Sequence, residues 1–323
     1  MLFRSPKLSQ SQPPAGDMGA VNDAAKMLVA AENPVLIAGR MARTPEGLKH
    51  LVELAELLQC AVLDQHRRLN FPSRHPLNQS LRAGQGGKPL MIPPALAPDL
   101  VVGLESNDFF TSMRLLKQRN MNFKVINISS GDLFLRSNYQ NFQRYAEADL
   151  SIAADAEATL PYLIEACKKL ITDDRKRAFQ ARGVKLAEAS KEAQERARVA
   201  ASLGWDASPI STARLSAELW SQIRNEDWAL VTDSSPWIHD WPLQLWDFKQ
   251  HHQYIGGAGA EGVGYAAPAA LGAAVAHKKH GRLPIAIQPD GDLMCANGVL
   301  WTSAHHKIPL LTVMHNRSEE HTS

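Results

Sequence analysis

Cysteine is scarce in this chain. Cys60, Cys167 and Cys295 are the only three in 323 residues, and no Cys-x-x-Cys pair occurs. That excludes a disulfide framework and favours a reducing compartment, the cytoplasm. No apolar run reaches the length of a bilayer span, so no membrane-crossing helix is expected. An excess of either charge is missing too. The 35 Lys and Arg against 33 Asp and Glu leave a net charge of +2, and the basic residues are dispersed. A nucleic-acid or membrane-surface partner is therefore not expected. Residues 1–12 are polar and lack the apolar core of a secretory signal. What remains is an ordinary soluble composition, 45% hydrophobic and 21% charged, over a length that suits about two domains.

Along the chain, residues 1–19 are rich in Ser, Gln and Pro and read as a linker. Asp17 is a helix cap, and Val21, Ala24, Ala25, Leu28 and Val29 then recur at helical spacing over residues 20–31. Short apolar runs at 34–39, 60–63, 99–104, 124–128 and 150–152 read as buried strands, with helical patterns at 45–58 and 156–171. Strands alternating with helices imply βαβ units and a parallel sheet, hence an α/β fold of three-layer domains. We expect a central domain over 20–171. Residues 172–203 are crowded with Lys, Arg, Glu and Ala and read as a solvated helix within a linker over 172–208. A second α/β run follows at 209–316, with helices at 211–223, 268–276 and 298–306 and strands at 228–233, 283–288 and 309–314.

The ends of those last strands carry the chemistry. Asp290-Gly291-Asp292 follows one, and Asn316, 26 positions beyond Asp290, follows the next. A glycine-rich stretch, Gly256-Gly257-Ala258-Gly259-Ala260-Glu261-Gly262-Val263-Gly264, precedes them. A carboxylate and an amide oxygen suit a hard divalent cation. Glycines let backbone N–H groups approach phosphate oxygens. Strand ends of an open parallel sheet are where such ligands bind.

With these segments, the chain resembles the thiamine-diphosphate enzymes of the acetolactate synthase and benzoylformate decarboxylase group. The carrying residues are Pro34 to Gly39, Gly262 to Gly272, and Asp290 through Asn316, including Leu300-Trp301-Thr302-Ser303-Ala304 and Ile308-Pro309-Leu310. The resemblance implies thiamine diphosphate and Mg²⁺ as cofactors and a 2-keto acid substrate. It favours acetolactate synthase-like carboligation, with 2-keto acid decarboxylation as the alternative. The full-length parent would be a homodimer or homotetramer. By the same resemblance Asp290 is the metal ligand. Ser234, Ser235, Gly262, Val263, Gly264, Gly291, Asp292 and Asn316 line the cofactor. Val263 takes the place of the apolar prop, and Gly291 and Asp292 would act through backbone N–H groups.

The family pattern is Gly-Asp-Gly followed by an Asn-Asn pair. Here Pro289 replaces the first Gly, and Arg317 replaces the second Asn, a metal ligand. A guanidinium offers no lone pair and repels a cation. The tail 317–323 reads like a translated sequencing adapter, so the natural sequence is expected to stop at Asn316. No residue matches the glutamate of the family's pyrimidine domain, so no catalytic residue is assigned. The chain is expected to be a gene fragment, inactive alone.

Other readings compete. Asp290 is an ordinary strand-end turn aspartate in the bland alternative, Val263 a core residue, and Ser234 and Ser235 loop caps. Gly257, Gly259 and Gly262 satisfy a dinucleotide fingerprint, but the preceding strand is poor and no acid stands near position 282. His305, His306 and His315 lack partners at zinc spacing. Trp237, Trp241 and Trp246 read as packing or channel residues. Val101-Val102-Gly103-Leu104 matches the strand where acetolactate synthase binds FAD. The flavin-contacting Arg and Gly are not evident in Glu105-Ser106-Asn107-Asp108, which leaves FAD unsupported. A non-catalytic, nucleotide-binding scaffold is the rival class.

Overall fold

A computed structural model describes residues 11–66, 68–83, 91–118, 122–131, 146–232, 236–256 and 263–316, with only the backbone at 232 and 236–240. Helix α1 (Met18–Ala30) begins where the Asp17 carboxylate accepts the Ala20 N–H at 3.0 Å, a cap that satisfies one orphan donor. Its buried residues, Val21, Ala24, Ala25, Leu28 and Val29, form the stripe their spacing predicts. Strand β1 (Pro34–Ala38) is buried along its whole length, as strands covered on both faces are. Helix α2 (Pro45–Leu58) opens on a Thr44 cap with Pro45 in its first turn, where a missing N–H costs nothing. Then come β2 (Ala61–Asp64), β3 (Leu100–Leu104), α3 (Phe109–Lys117), β4 (Lys124–Ile128), β5 (Leu150–Ile152) and α4 (Ala156–Leu170). The five strands pair in parallel in the order β2-β1-β3-β4-β5.

Helix α5 (Asp173–Ser202) departs from the expected solvated linker. Phe179, Gly183, Leu186, Ser190, Ala193, Ala197 and Ala201 are buried, one side of the helix at spacings of three and four. Two arginines fasten it. Arg175 donates to the carbonyls of Val29 at 2.7 Å and Ala31 at 2.6 Å. Arg182 donates to those of Gln59 at 2.9 Å, Glu32 and Leu58. Between them sits Phe179, its ring 5.2 Å from one guanidinium and 4.8 Å from the other. The arginines thus satisfy carbonyls at the ends of α1 and α2 that no helical N–H can reach.

The second half contains α6 (Thr212–Ile223), β6 (Trp228–Thr232), α7 (Pro236–Leu245), α8 (Ala266–Lys278), β7 (Leu283–Pro289), α9 (Asp290–Met294), α10 (Gly298–His305) and β8 (Leu311–His315). Its sheet is parallel, in the order β6-β7-β8, with β7 central. Trp246 is fully buried, stacked on Trp220 at 5.7 Å and edge-on to Trp228 at 5.5 Å. Its Nε1–H donates to the Ser216 carbonyl at 2.9 Å, so it packs rather than reads a ligand.

Both halves share one apolar core, which runs from β1 and β3 through Trp228, Trp246 and Phe248. Polar ties reinforce it. Ser73 N–H donates to the Phe248 carbonyl at 2.9 Å, and Phe248 N–H returns to Ser73 Oγ at 2.9 Å. Ser73 Oγ–H donates to the Trp246 carbonyl at 3.1 Å, and Arg74 to that of Gln244 at 2.8 Å. No helix among the described residues is long and apolar enough to cross a membrane.

Candidate functional site

The register of β7 and β8 brings the two motif residues to one edge. Pro289 pairs with His315, so Asp290 and Asn316 each follow the sheet by one residue on neighbouring strands. Parallel neighbours lie about 4.8 Å apart, close enough for a carboxylate and an amide oxygen to serve one cation. Pro289, in place of the family's glycine, has φ −73° and ψ 159°. That is extended backbone close to the angle the proline ring enforces, so this position needs no glycine.

Asp290, Gly291 and Asp292 form the first turn of α9, where the simple reading is an Asp-Gly turn. Carboxylates there are favoured by the exposed N–H groups of a helix start. The fate of Asp292 is the departure from expectation. Its side chain, not only its backbone, is engaged: 4% of the residue is exposed, and Oδ1 accepts the Gly264 N–H. The other oxygen, Oδ2, is buried with no hydrogen-bond partner among the described residues. Nothing in the sequence marks this bond, which spans 28 residues.

Gly264 itself requires glycine. Its φ is +92°, and a Cβ there would lie 2.9 Å from the Cys295 Cβ. Val263, one residue earlier, is 79% exposed, so it is not a core residue. Ser234, Ser235 and Gly262 lie outside the described residues, as do Gly257 and Gly259 of the dinucleotide pattern and the Arg317 position. His305 stacks on Trp301 at 4.6 Å along α10. Among the described residues no group of three His, Cys, Asp or Glu could hold a metal.

The carboxyl edge of the first sheet is filled by its own polar groups. The strand order turns back between β1 and β3, where open sheets form crevices. There Gly39 meets the Glu105 backbone so closely that a Cβ would fall 1.9 Å from its carbonyl oxygen. The Glu105 carboxylate accepts the N–H groups of Ser130 at 2.9 Å and Ala156 at 3.3 Å. Burial pushes its pKa up despite those bonds. Asp64, at the end of β2, is likewise raised by burial while accepting the N–H groups of His66 at 2.8 Å and Asn70 at 2.9 Å.

The donor set at the second sheet fits a diphosphate with a hard cation. It offers a carboxylate and an amide from adjacent strand ends and, two residues after Asp290, a buried carboxylate oxygen with no hydrogen-bond partner among the described residues. Comparison with known proteins identifies the domains. Residues 21–163 match the central domain of thiamine pyrophosphate enzymes, and residues 238–318 their C-terminal TPP binding domain. No curated protein matches. Among solved structures, a protein of Mycobacterium smegmatis described as a thiamin diphosphate-dependent enzyme is 19% identical with a TM-score of 0.68, covering 98% of this chain and 56% of its own. Benzoylformate decarboxylase from Polynucleobacter necessarius is 18% identical with a TM-score of 0.65, covering 98% and 55%. The thiamine diphosphate-dependent 4-hydroxybenzoylformate decarboxylase of Rhodococcus jostii RHA1 is 19% identical with a TM-score of 0.63, covering 97% and 53%. The chain thus spans about half the length of the solved structures it matches.

Proposed function

Since the chain belongs to the thiamine pyrophosphate-dependent enzymes, we propose that it carries the diphosphate side of a thiamine-diphosphate and Mg²⁺ site that acts on a 2-keto acid. The observation that carries this reading is the side-by-side exit of Asp290 and Asn316 from β7 and β8. Asp290 supplies the anionic oxygen to Mg²⁺, and Asn316 lines the cofactor beside it. Gly291 and Asp292 present backbone N–H groups toward the diphosphate. Ser234, Ser235, Gly262 and Gly264 complete the cofactor's surroundings. The exposure of the apolar Val263 side chain, which the core does not use, supports reading it as the prop that bears on the cofactor. When bound, thiamine diphosphate supplies a nucleophilic carbon and an electron sink for loss of CO₂. The chain's part is to bind, orient and hold the cation.

Carboligation of a 2-keto acid, as in acetolactate synthases, is the first reading. Decarboxylation is the second, favoured by the two aromatic 2-keto acid decarboxylases among the similar structures. We assign no role to FAD, and we place the enzyme in a homodimer or homotetramer. Calorimetric titration with thiamine diphosphate, with and without Mg²⁺, tests the site. Wild type is expected to bind only with the metal, and Asp290→Ala to lose that dependence. Metal-dependent binding that survives Asp290→Ala would remove the metal assignment.

A further inference from the structure

Asp292, in the first turn of α9, ties that helix to the segment just before α8. Its Oδ1 accepts the N–H of Gly264, and the Asp292 side chain is almost wholly buried. Gly264 is held on its other side as well, since the Cys295 Cβ occupies the space a Cβ would need. The turn Val263-Gly264 is therefore pressed against α9 from its N–H and from its Cα. Tyr265, at the N-cap of α8, adds no side-chain cap to hold it.

The choice of side chain is informative. A residue present only to fill space would be apolar, because a buried carboxylate oxygen without a donor carries a desolvation cost. Asp292 bears that cost at Oδ2. What it gains is a charge-assisted bond to a backbone N–H, stronger and shorter than a neutral one. That bond reaches the residue next to Val263, whose side chain is open to solvent.

We propose that Asp292 is a positioning residue that locks the Val263-Gly264 turn onto the loop bearing Asp290. The apolar Val263 side chain and the carboxylate assigned to the cation are thereby held in one fixed relation, although they lie 27 positions apart in sequence. Its consequence for cofactor binding rests on the thiamine-diphosphate reading above. The lock itself does not.

Two measurements on the full chain separate these. The first is amide hydrogen exchange at Gly264 without cofactor. In Asp292→Ala this amide is expected to exchange roughly tenfold faster, having lost a charge-assisted acceptor. Asp292→Asn keeps a neutral acceptor oxygen at the same place and should exchange more slowly than Asp292→Ala, though faster than wild type. The second is thiamine diphosphate affinity in excess Mg²⁺, expected to weaken by roughly tenfold in Asp292→Ala and to recover in Asp292→Asn, with the melting temperature of Asp292→Asn unchanged. Slow exchange at Gly264 in Asp292→Ala, or equally fast exchange in both variants, overturns the lock. Equal affinity of Asp292→Ala and wild type overturns its positioning role whatever the exchange shows. If wild type binds no thiamine diphosphate, the functional reading falls and exchange alone decides the lock. If Asp292→Ala does not fold, exchange at Gly264 in Asp292→Asn as slow as in wild type overturns the proposal and faster exchange supports it.

Discussion

Pro289 stands where related enzymes carry glycine, at the end of β7 and one residue before the carboxylate assigned to the cation. Its φ of −73° lies inside the range any L residue adopts. A proline here restricts the unfolded chain at no cost to the folded one. Pro289→Gly should therefore lower stability by about 0.4–1 kcal/mol and leave Mg²⁺-dependent cofactor affinity unchanged. Denaturant midpoints and calorimetry check the two halves of that statement; a loss of affinity would mean the ring itself shapes the site. Gly264 is the opposite case. Its φ of +92° and the Cys295 Cβ behind it leave no room for a side chain.

Among the elements, α5 shows how charge can hide a packing face. Its composition is so polar that the chain reads as a solvated rod, yet a stripe from Phe179 to Ala201 is buried. The stripe consists mostly of alanine, glycine and serine, small residues that let the helix approach closely while contributing little to any hydrophobicity profile. Phe179 is the large residue, 1% exposed and flanked by the guanidinium groups of Arg175 and Arg182. Truncating it removes both its packing and the surface on which the arginines lie. Phe179→Ala is expected to cost about 3–5 kcal/mol, measured by urea denaturation. A cost below about 1 kcal/mol would return α5 to the status of a loosely docked linker.

For the whole molecule the question is whether the two sheets unfold together. Their shared core and the Ser73 hydrogen bonds to Trp246 and Phe248 argue that they do. Wild type is expected to melt in one calorimetric transition. Ser73→Ala leaves the Phe248 N–H and the Trp246 carbonyl without the hydroxyl each uses, at a cost of about 1–3 kcal/mol. The expected outcome is a lower melting temperature with a broadened or split transition. Two separate transitions already present in wild type would show that the core does not couple the sheets.

Much of the fold is legible in the sequence because it rests on short-range physics. The Asp17 and Thr44 caps, the helical stripe of α1 and the buried runs of β1 and β3 each depend on residues a few positions apart. Asp290 and Asn316 belong to the same class: placing each just past a strand was enough to bring them to one sheet edge. The sequence could not show that Pro289 is harmless, since that depends on a backbone angle. It could not show that the Asp292 side chain binds Gly264 either, because the bond joins residues 28 positions apart, on either side of α8 and β7. Nor could it show the burial of α5, where Lys, Arg and Glu dominate the count and only the carbonyls of Ala31, Leu58 and Gln59 reveal what the arginines are for. Local propensity and strand register are written along the chain. Which buried polar group meets which partner is decided by where the folded chain brings distant backbone together.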